Sequence, residues 1–507
     1  MKLSDLLETI TPIRVTGWTQ DKAKSPEIGS IHYRAQDVLP GGLFVAIKGL
    51  KADGHDFIDD ALARGASAIV TEKPVVADSI CIEVSNIRRV LASMASRFYK
   101  NPSETLNIIG ITGTNGKTTT AFLIESILST AGFHVGVIGT INYRYSGKIF
   151  PNPVTTPESL DLQRILKDMC KDRITHVVME VSSHALDLFR VDNCWMDVGV
   201  FTNFSQDHLD YHKDMAGYWM AKQRLFSEIL KIGPKKGRAL AVLNCNDEKG
   251  KSLLEIFSDT GVTVGHSTNN LIRDKTFKTD LSGIKGEIIT PQGLFHFESP
   301  LTGAYNLENI LCAVGVGIAF KLPLDTIKNG IETMVSVPGR FERIPNESGK
   351  FVFIDYAHTP GALKNVLSAM QSMARGRIIC IFGCGGDRDR EKRPQMGETA
   401  GNLCDLAVIT SDNPRSEEPM EIIRQICIGT QKACRHHYDR SDLKKGFEKK
   451  GYVIEPDRRK AIHLGISAAR AGDMVLIAGK GHENYQIVGN RTICFDDRLE
   501  AEKILLN

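Results

Sequence analysis

Residues 108–120 read IIGITGTNGKTTT, an apolar run that enters a glycine turn and then opens a helix-forming stretch. Gly113 and Gly116 let the backbone approach phosphate oxygens, and the amides that begin the next helix point at an anion that the helix dipole favours. Thr114, Asn115 and Thr119 complete the loop and the first helical turn. Lys117 then reaches the outer phosphates of a nucleoside triphosphate, and the Thr118 hydroxyl is placed to ligate magnesium. Ala121, Ile124, Ile127 and Leu128 recur at helical spacing, and Gly132 is the stop signal. A standard phosphate loop carries a further glycine five residues before the Gly of Gly-Lys; here that place is Ile111.

Outward from this stretch, apolar runs alternate with helical ones. They are NIIGIT from Asn107, HVGVIGT from His134, THVVMEV from Thr175, DVGVFTN from Asp197 and ALAVLN from Ala239. The alternation predicts an α/β unit with a mostly parallel sheet. A third unit starts near Pro338-Gly339, with FVFID from Phe351, RIICIFG from Arg377, LAVIT from Leu406 and MVLIAG from Met474 as strands of a second doubly wound sheet. Before them, LFVAIKG from Leu43 and SAIVTE from Ser67 stand between Pro-Gly and Asp-Gly turns, and Tyr99 to Ser103 reads as a linker. The expected architecture is three domains: a small mixed α/β domain over 1–100, a central P-loop ATPase-like domain over 101–337, and a Rossmann-like domain over 338–507.

The length of 507 residues suits about three domains with separate cores. Apolar residues at 42% and charged residues at 24% fit an ordinary soluble protein. Lys plus Arg at 63 against Asp plus Glu at 60 leaves too little excess for a nucleic-acid or anionic-membrane partner, so anions must meet local sites. The first residues, MKLSDLLETITPIRV, carry Asp5 and Glu8 among their leucines and lack the apolar core of a secretory signal. No later run approaches the ~20 apolar residues of a membrane span. The 11 cysteines contain no CxxC pair and are expected as buried thiols in a reducing cytoplasm.

Polar residues stand at the ends of the predicted strands: Glu180, Asn203, Asp355, and Asp412 after LAVIT. In open α/β sheets that is where ligands gather, although a lone acid there is usually a turn residue. Glu180 offers oxygen to magnesium, and His208 a nitrogen or an outer hydrogen bond. His208 and His212 have the spacing of a zinc helix, but no Glu follows His208, and Asp210 and Tyr211 suggest a loop facing anions instead.

GTNGKTT, EVSSHAL from Glu180, TNFSQDHLDYH from Thr202, Lys222 in YWMAKQRLF, GAYNLEN from Gly303, PGRFE from Pro338 and DYAHTP from Asp355 together resemble the Mur ligase family along the whole chain. GCGGDRDREKRP from Gly383, SDNPRSEEP from Ser411 and AGKGHENYQ from Ala478 match the carboxyl-terminal domain of its members that add the third amino acid to UDP-N-acetylmuramoyl-L-alanyl-D-glutamate (UDP-MurNAc-dipeptide). The resemblance implies a cytoplasmic, monomeric, ATP-dependent ligase of peptidoglycan precursor synthesis that works through an acyl phosphate. Thr118 and Glu180 would hold one magnesium ion, while His208 and Lys222, the latter as a carbamate formed with carbon dioxide, would serve a second. Asn306, Arg340, Asp355 and His358 match nucleotide positions. Thr155, Thr156, Ser182 and Arg190 match positions for the UDP-MurNAc-dipeptide.

For the acceptor, Asp412, Asn413, Pro414 and Arg415 form a DNPR segment whose guanidinium suits the extra carboxylate that distinguishes meso-diaminopimelate from L-lysine. Arg388 is a second carboxylate partner, and Glu483 with the Gly479 backbone is matched to the distal ammonium. The first domain departs from the family, with Tyr33-Arg34-Ala35-Gln36 where Tyr-Asp-Ser-Arg is usual, and Leu188 stands where some relatives have glutamine. Competing readings are a lysine-adding Mur ligase, a folylpolyglutamate synthetase, and a nucleotide-binding module that joins nothing.

Overall fold

The computed structural model describes every residue except 19–20, 50–51, 335 and 507. Three largely parallel sheets follow one another along the chain. The first orders its strands Arg14–Thr16, Ile80–Glu83, Ala68–Thr71, Leu43–Val45 and Ile31–His32, with only Arg14–Thr16 antiparallel to its neighbour.

In the central sheet of eight strands, Asn107–Thr112 lies between Val198–Phe201 and His176–Glu180, parallel to both. Glu180 registers with Ile111 and Phe201 with Thr112, so the strands end level and their polar successors share one edge. Ile111 is fully buried in the strand, and the turn begins only at Gly113. The glycine expected of a standard phosphate loop is replaced by a core position because this strand continues two residues further.

Helix Lys117–Thr130 buries Leu123, Ile124, Ile127 and Leu128 against Ile310, Leu311 and Val314 of helix Tyr305–Ala319. Each such side chain contributes about 1.5–3 kcal/mol on burial, which anchors the helix that carries the loop. Helix Leu324–Thr333 comes so close that a Cβ on Gly330 would lie 2.5 Å from the Ile127 Cα. Along the chain, between strand Gly261–Val264 and helix Tyr305–Ala319, comes an antiparallel sheet, Arg273–Asp280, Gly283–Thr290 and Gly293–Ser299, that the sequence reading did not include.

The third sheet runs Glu342–Ile344, Phe351–Asp355, Met474–Ala478, Ile378–Phe382, Leu406–Ile409 and Gly451–Ile454, parallel after the first pair. A hairpin, Tyr485–Val488 and Arg491–Cys494, stands beside it. The stretch from Tyr99 to Ser103 is a packed turn, not a loose tether: Asn101 is left-handed at φ 47°, Pro102 and Ser103 are buried, and the Trp195 amide donates to Ser103 Oγ at 3.1 Å. All cysteines are free thiols, and only Cys170 and Cys494 escape full burial. Among the described residues no helix is long and apolar enough to cross a membrane.

Candidate active site

The glycines of the loop are required by what they touch. A Cβ on Gly113, at φ 149°, would lie 1.9 Å from Thr202 Oγ1, and one on Gly116, at φ 84°, 2.2 Å from Asn309 Oδ1. The loop is then pinned to the adjoining strand end. The Thr114 amide donates to Asn203 O at 2.8 Å, the Asn115 amide to Asn203 Oδ1 at 2.9 Å, and Thr202 Oγ1 to Asn115 O at 2.7 Å. Asn203 thus shapes the loop, a role that its place at a strand end hinted at without specifying.

Lys117 folds back on its own loop, donating to Gly113 O at 2.9 Å and Thr114 O at 2.8 Å. Lys222, 1% exposed on helix Met215–Ser227, donates to the same Gly113 O at 2.7 Å. Neither lysine has a carboxylate within ion-pair distance among the described residues. Burial lowers the Lys117 ammonium, with Glu180 and Asp207 opposing. The Lys222 ammonium is pushed well below its ordinary value by burial first and then by Lys117.

Glu180, 2% exposed, is the nearest acid. Its Oε2 accepts from Thr118 Oγ1 at 3.0 Å and Thr140 Oγ1 at 2.9 Å, and its Oε1 from the Thr140 amide at 2.9 Å. Two hydroxyls and a carboxylate are hard oxygen donors suited to magnesium. Among the described residues no three His, Cys, Asp or Glu side chains converge on a metal position. That also fits magnesium, which keeps waters and substrate phosphate oxygens and needs only one or two carboxylates.

His208 is left-handed at φ 54° and caps the single helical turn Leu209–His212, where a loop was expected. Burial lowers its imidazole to about 4, against the opposing charge of Asp207, whose Oδ2 is 3.5 Å from Nε2. The ring is therefore neutral near pH 7 and keeps a lone pair. His212 is tied at 2.9 Å to Ser183 Oγ, whose residue lines the cleft, while His212 itself stands behind that lining.

Across a cleft of about 770 Å³ stands the third sheet. Arg340 Nη2 donates to Thr118 Oγ1 at 3.2 Å, and its guanidinium lies 4.5 Å from the Tyr356 ring centre. Asp355 accepts from the Phe341 amide and the Ala357 amide, both at 2.7 Å. Burial raises its carboxyl to about 6, with Arg340 opposing. His358 Nδ1 donates to Tyr356 O at 2.8 Å, and burial lowers its imidazole. Asn306, on the same cleft, accepts from Asn309 Nδ2 at 2.8 Å and donates to Thr302 O at 2.7 Å. Thr119 lines it one residue after Thr118.

The four residues matched to the UDP-MurNAc-dipeptide also converge. Thr155 Oγ1 is 3.1 Å from Thr140 Oγ1, Thr156 Oγ1 receives the Ser182 amide at 3.1 Å, and Arg190 Nη1 donates to Thr156 O at 3.1 Å. Thr155 and Ser182 line the cleft with Glu180, while Thr156 is fully buried behind them.

The DNPR segment forms a second cluster outside that lining. Arg415, left-handed at φ 53°, donates to Gly386 O at 2.7 Å and makes no ion pair among the described residues. A Cβ on Gly385 would sit 2.8 Å from Arg415 Nη1 and 3.7 Å from Arg388 Cγ, so the two arginines flank one glycine. Asp412 Oδ1 accepts the Asn413 amide at 2.6 Å, and Pro414 O lies 1.9 Å from where a Gly386 Cβ would be. Asn413 Nδ2 donates to Glu483 Oε2 at 2.9 Å. Gly479, at φ 112°, faces Asp412 Oδ2. Tyr356 links the clusters: its ring packs against His482 with centres 5.2 Å apart and planes tilted by 42°, next to Glu483, and carries Arg340 on the phosphate side. Thr140, Asp207, Tyr356, Lys480 and His482 were not singled out from sequence; Asp207 bears on the site through its neighbour His208, the others through partners farther along the chain.

Three family models match: "Mur ligase family, catalytic domain" over 27–99, "Mur ligase middle domain" over 111–317 and "Mur ligase, glutamate ligase domain" over 339–481. A relative from Geobacter metallireducens, UDP-N-acetylmuramoyl-L-alanyl-D-glutamate--2,6-diaminopimelate ligase, is 46% identical over 99% of this chain and 98% of its own. The protein of that name from Bacillus velezensis is 40% identical over 100% and 99%. A solved structure under the same name superposes with a TM-score of 0.68 at 29% identity over 100% of this chain and 98% of its own. Mycobacterium tuberculosis folylpolyglutamate synthase complexed with ADP reaches a TM-score of 0.61 at 18% identity over 78% of this chain and 92% of its own, a likeness of fold.

Proposed function

Because the chain belongs to the Mur ligase family, we propose that it joins meso-diaminopimelate to the D-glutamate γ-carboxylate of UDP-MurNAc-L-Ala-D-Glu at the expense of ATP. The observation that carries the reading is the Arg340 to Thr118 hydrogen bond across the cleft, beside the buried Lys117, which has only carbonyl oxygens for partners among the described residues. A phosphate chain supplies the missing negative charge.

In this reading a γ-carboxylate oxygen attacks the terminal phosphorus of ATP, the bond to the bridging oxygen breaks, and ADP leaves. The acceptor amine, having given up a proton, then attacks the acyl carbon, and inorganic phosphate leaves with the former carboxylate oxygen. Catalysis is positioning and charge neutralisation. Lys117 unfolds from its loop to the outer phosphates, Arg340 approaches from the third sheet, and Asn306, Asp355 and His358 border the nucleotide. Thr118 and Glu180 would hold one magnesium ion and His208 would serve a second, and such ions would neutralise phosphate charge.

Lys222 is best read as a carbamate. A buried, neutral amine is the form that adds carbon dioxide, and the product is an oxygen anion suited to a hard cation. Thr155, Thr156, Ser182 and Arg190 take the UDP-MurNAc-dipeptide, and the Arg388, Arg415, Asn413 and Glu483 cluster takes the acceptor. The relatives' printed names support diaminopimelate over lysine. We place the enzyme in the cytoplasm as a monomer.

The test is ADP release with dipeptide substrate labelled with heavy oxygen at the γ-carboxylate. Release should require both dipeptide and diaminopimelate, and label should appear in phosphate. AMP and pyrophosphate as products, or ADP release without an amino acid, would overturn the reading.

A further inference from the structure

We propose that Lys480 is a positioning residue for the acceptor amino acid, setting the polarity of the Asn413–Glu483 pair so that the far end of the acceptor is read as a zwitterion of one handedness. The inference rests on the acceptor reading given above. Lys480 is fully buried, and its Nζ lies 3.2 Å from Asn413 Oδ1 and 2.9 Å from Glu483 Oε2. The Tyr485 ring lies 5.3 Å from the same ammonium.

The consequence follows from counting donors and acceptors. Asn413 Oδ1 receives both Lys480 Nζ and the Ile487 amide, the latter at 3.0 Å. Two donors on one oxygen fix the amide, because the flipped rotamer would set its NH2 against them. Asn413 Nδ2 must therefore turn to Glu483 Oε2, which it meets at 2.9 Å. That oxygen now has two donors, while among the described residues no hydrogen bond reaches Glu483 Oε1. One carboxylate oxygen is left to accept a ligand ammonium.

The other half of the cluster is cationic. Arg415 spends Nη1 on Gly386 O, and Arg388 stands beyond Gly385 with its guanidinium donating, among the described residues, only to the Asp387 backbone. A stereocentre bearing both an ammonium and a carboxylate meets one fixed acceptor and fixed donors. Inverting that centre exchanges the two groups and sets like charge against like. Without the Lys480 ammonium, Asn413 Oδ1 keeps the Ile487 amide as its single donor and Glu483 Oε2 loses one of its two, so Glu483 can present either oxygen and the distinction weakens while the arginines remain.

Lys480→Met and Lys480→Gln separate this role from plain packing. The second keeps a donor of similar size and serves if the first does not fold, judged by its melting transition. We expect the KM for meso-diaminopimelate to rise by about tenfold or more, with kcat little altered and the KM values for ATP and dipeptide held. We also expect the preference for the meso over the LL isomer to fall by about fivefold or more, since handedness depends on fixed partners. Combining Lys480→Met with Glu483→Gln should lower that preference no further than Glu483→Gln alone. An unchanged meso preference, or a loss spread equally over all three substrates, overturns the inference while leaving the proposed reaction intact. Wild-type enzyme that uses no diaminopimelate overturns both.

Discussion

Lys222 and Lys480 are equally buried, yet the two regions that hold them treat charge in opposite ways. Around Lys222 the only hydrogen-bond acceptor among the described residues is Gly113 O, which Lys117 shares. Around Lys480 a carboxylate and an amide oxygen complete the ion pair. Unpaired buried charge is costly, so the phosphate loop is left to meet an anion, whereas Lys480 and Glu483 are paired before a ligand arrives and Arg388 and Arg415 beside them await its carboxylate. The phosphate cleft binds by supplying missing charge, the acceptor cluster by offering fixed partners to a ligand with no excess charge at its far end.

The comparison breaks most sharply at Lys222. Lys222→Ala should lower turnover by about 10²–10³-fold, the size of losing one transition-state electrostatic partner. Added short carboxylates should restore part of it, because they return an oxygen anion to the space. A fully active Lys222→Ala enzyme, or one indifferent to added carboxylate, removes the carbamate and the contrast with it.

Arg415→Ala tests the other side. Losing a desolvated bidentate contact costs about 2–5 kcal/mol, so the diaminopimelate requirement should rise at least about tenfold. The ATP requirement should stay, since Arg415 lies outside the phosphate cleft. Equal use of L-lysine by the wild-type enzyme, or an unchanged preference in the variant, shows that this cluster does not read the distal carboxylate.

The same contrast governs what could be read from the chain. The phosphate strand and helix were legible because apolar residues change period from strand to helix across a glycine turn, and NIIGIT coincides with the strand Asn107–Thr112. Arg273–Asp280, by contrast, is RDKTFKTD with Phe277 exposed, so no apolar alternation announced a strand that pairs mainly through its backbone. Glu180 and Lys222 were found through motifs. Thr140 and Lys480 were not, because a threonine after a strand and a lysine between glycines look ordinary until the fold brings them to Glu180, 40 residues away, and Asn413, 67 residues away. Burial of a lysine is a tertiary fact, and periodicity carries no trace of it.

The smallest expected effect concerns Asp355, which sits where the third sheet faces the phosphate cleft. Burial holds its carboxyl at about 6 against an ordinary 3.8. The folded protein therefore keeps a proton that the unfolded chain has released, and rising pH costs folded stability between about 4 and 6 and no further above. The slope from one such group is at most ~1.4 kcal/mol per pH unit. Melting temperature followed across that interval should fall in the wild-type protein relative to Asp355→Asn; histidines lowered to about 4, such as His208, move both proteins the other way, so the difference between the two is the readout. Arg340→Ala should move the midpoint upward, because Arg340 is the charge that favours the ionised form. A midpoint that stays put would mean that Arg340 is turned away from Asp355 in solution, and with it from the phosphate loop that the Arg340 to Thr118 hydrogen bond reaches.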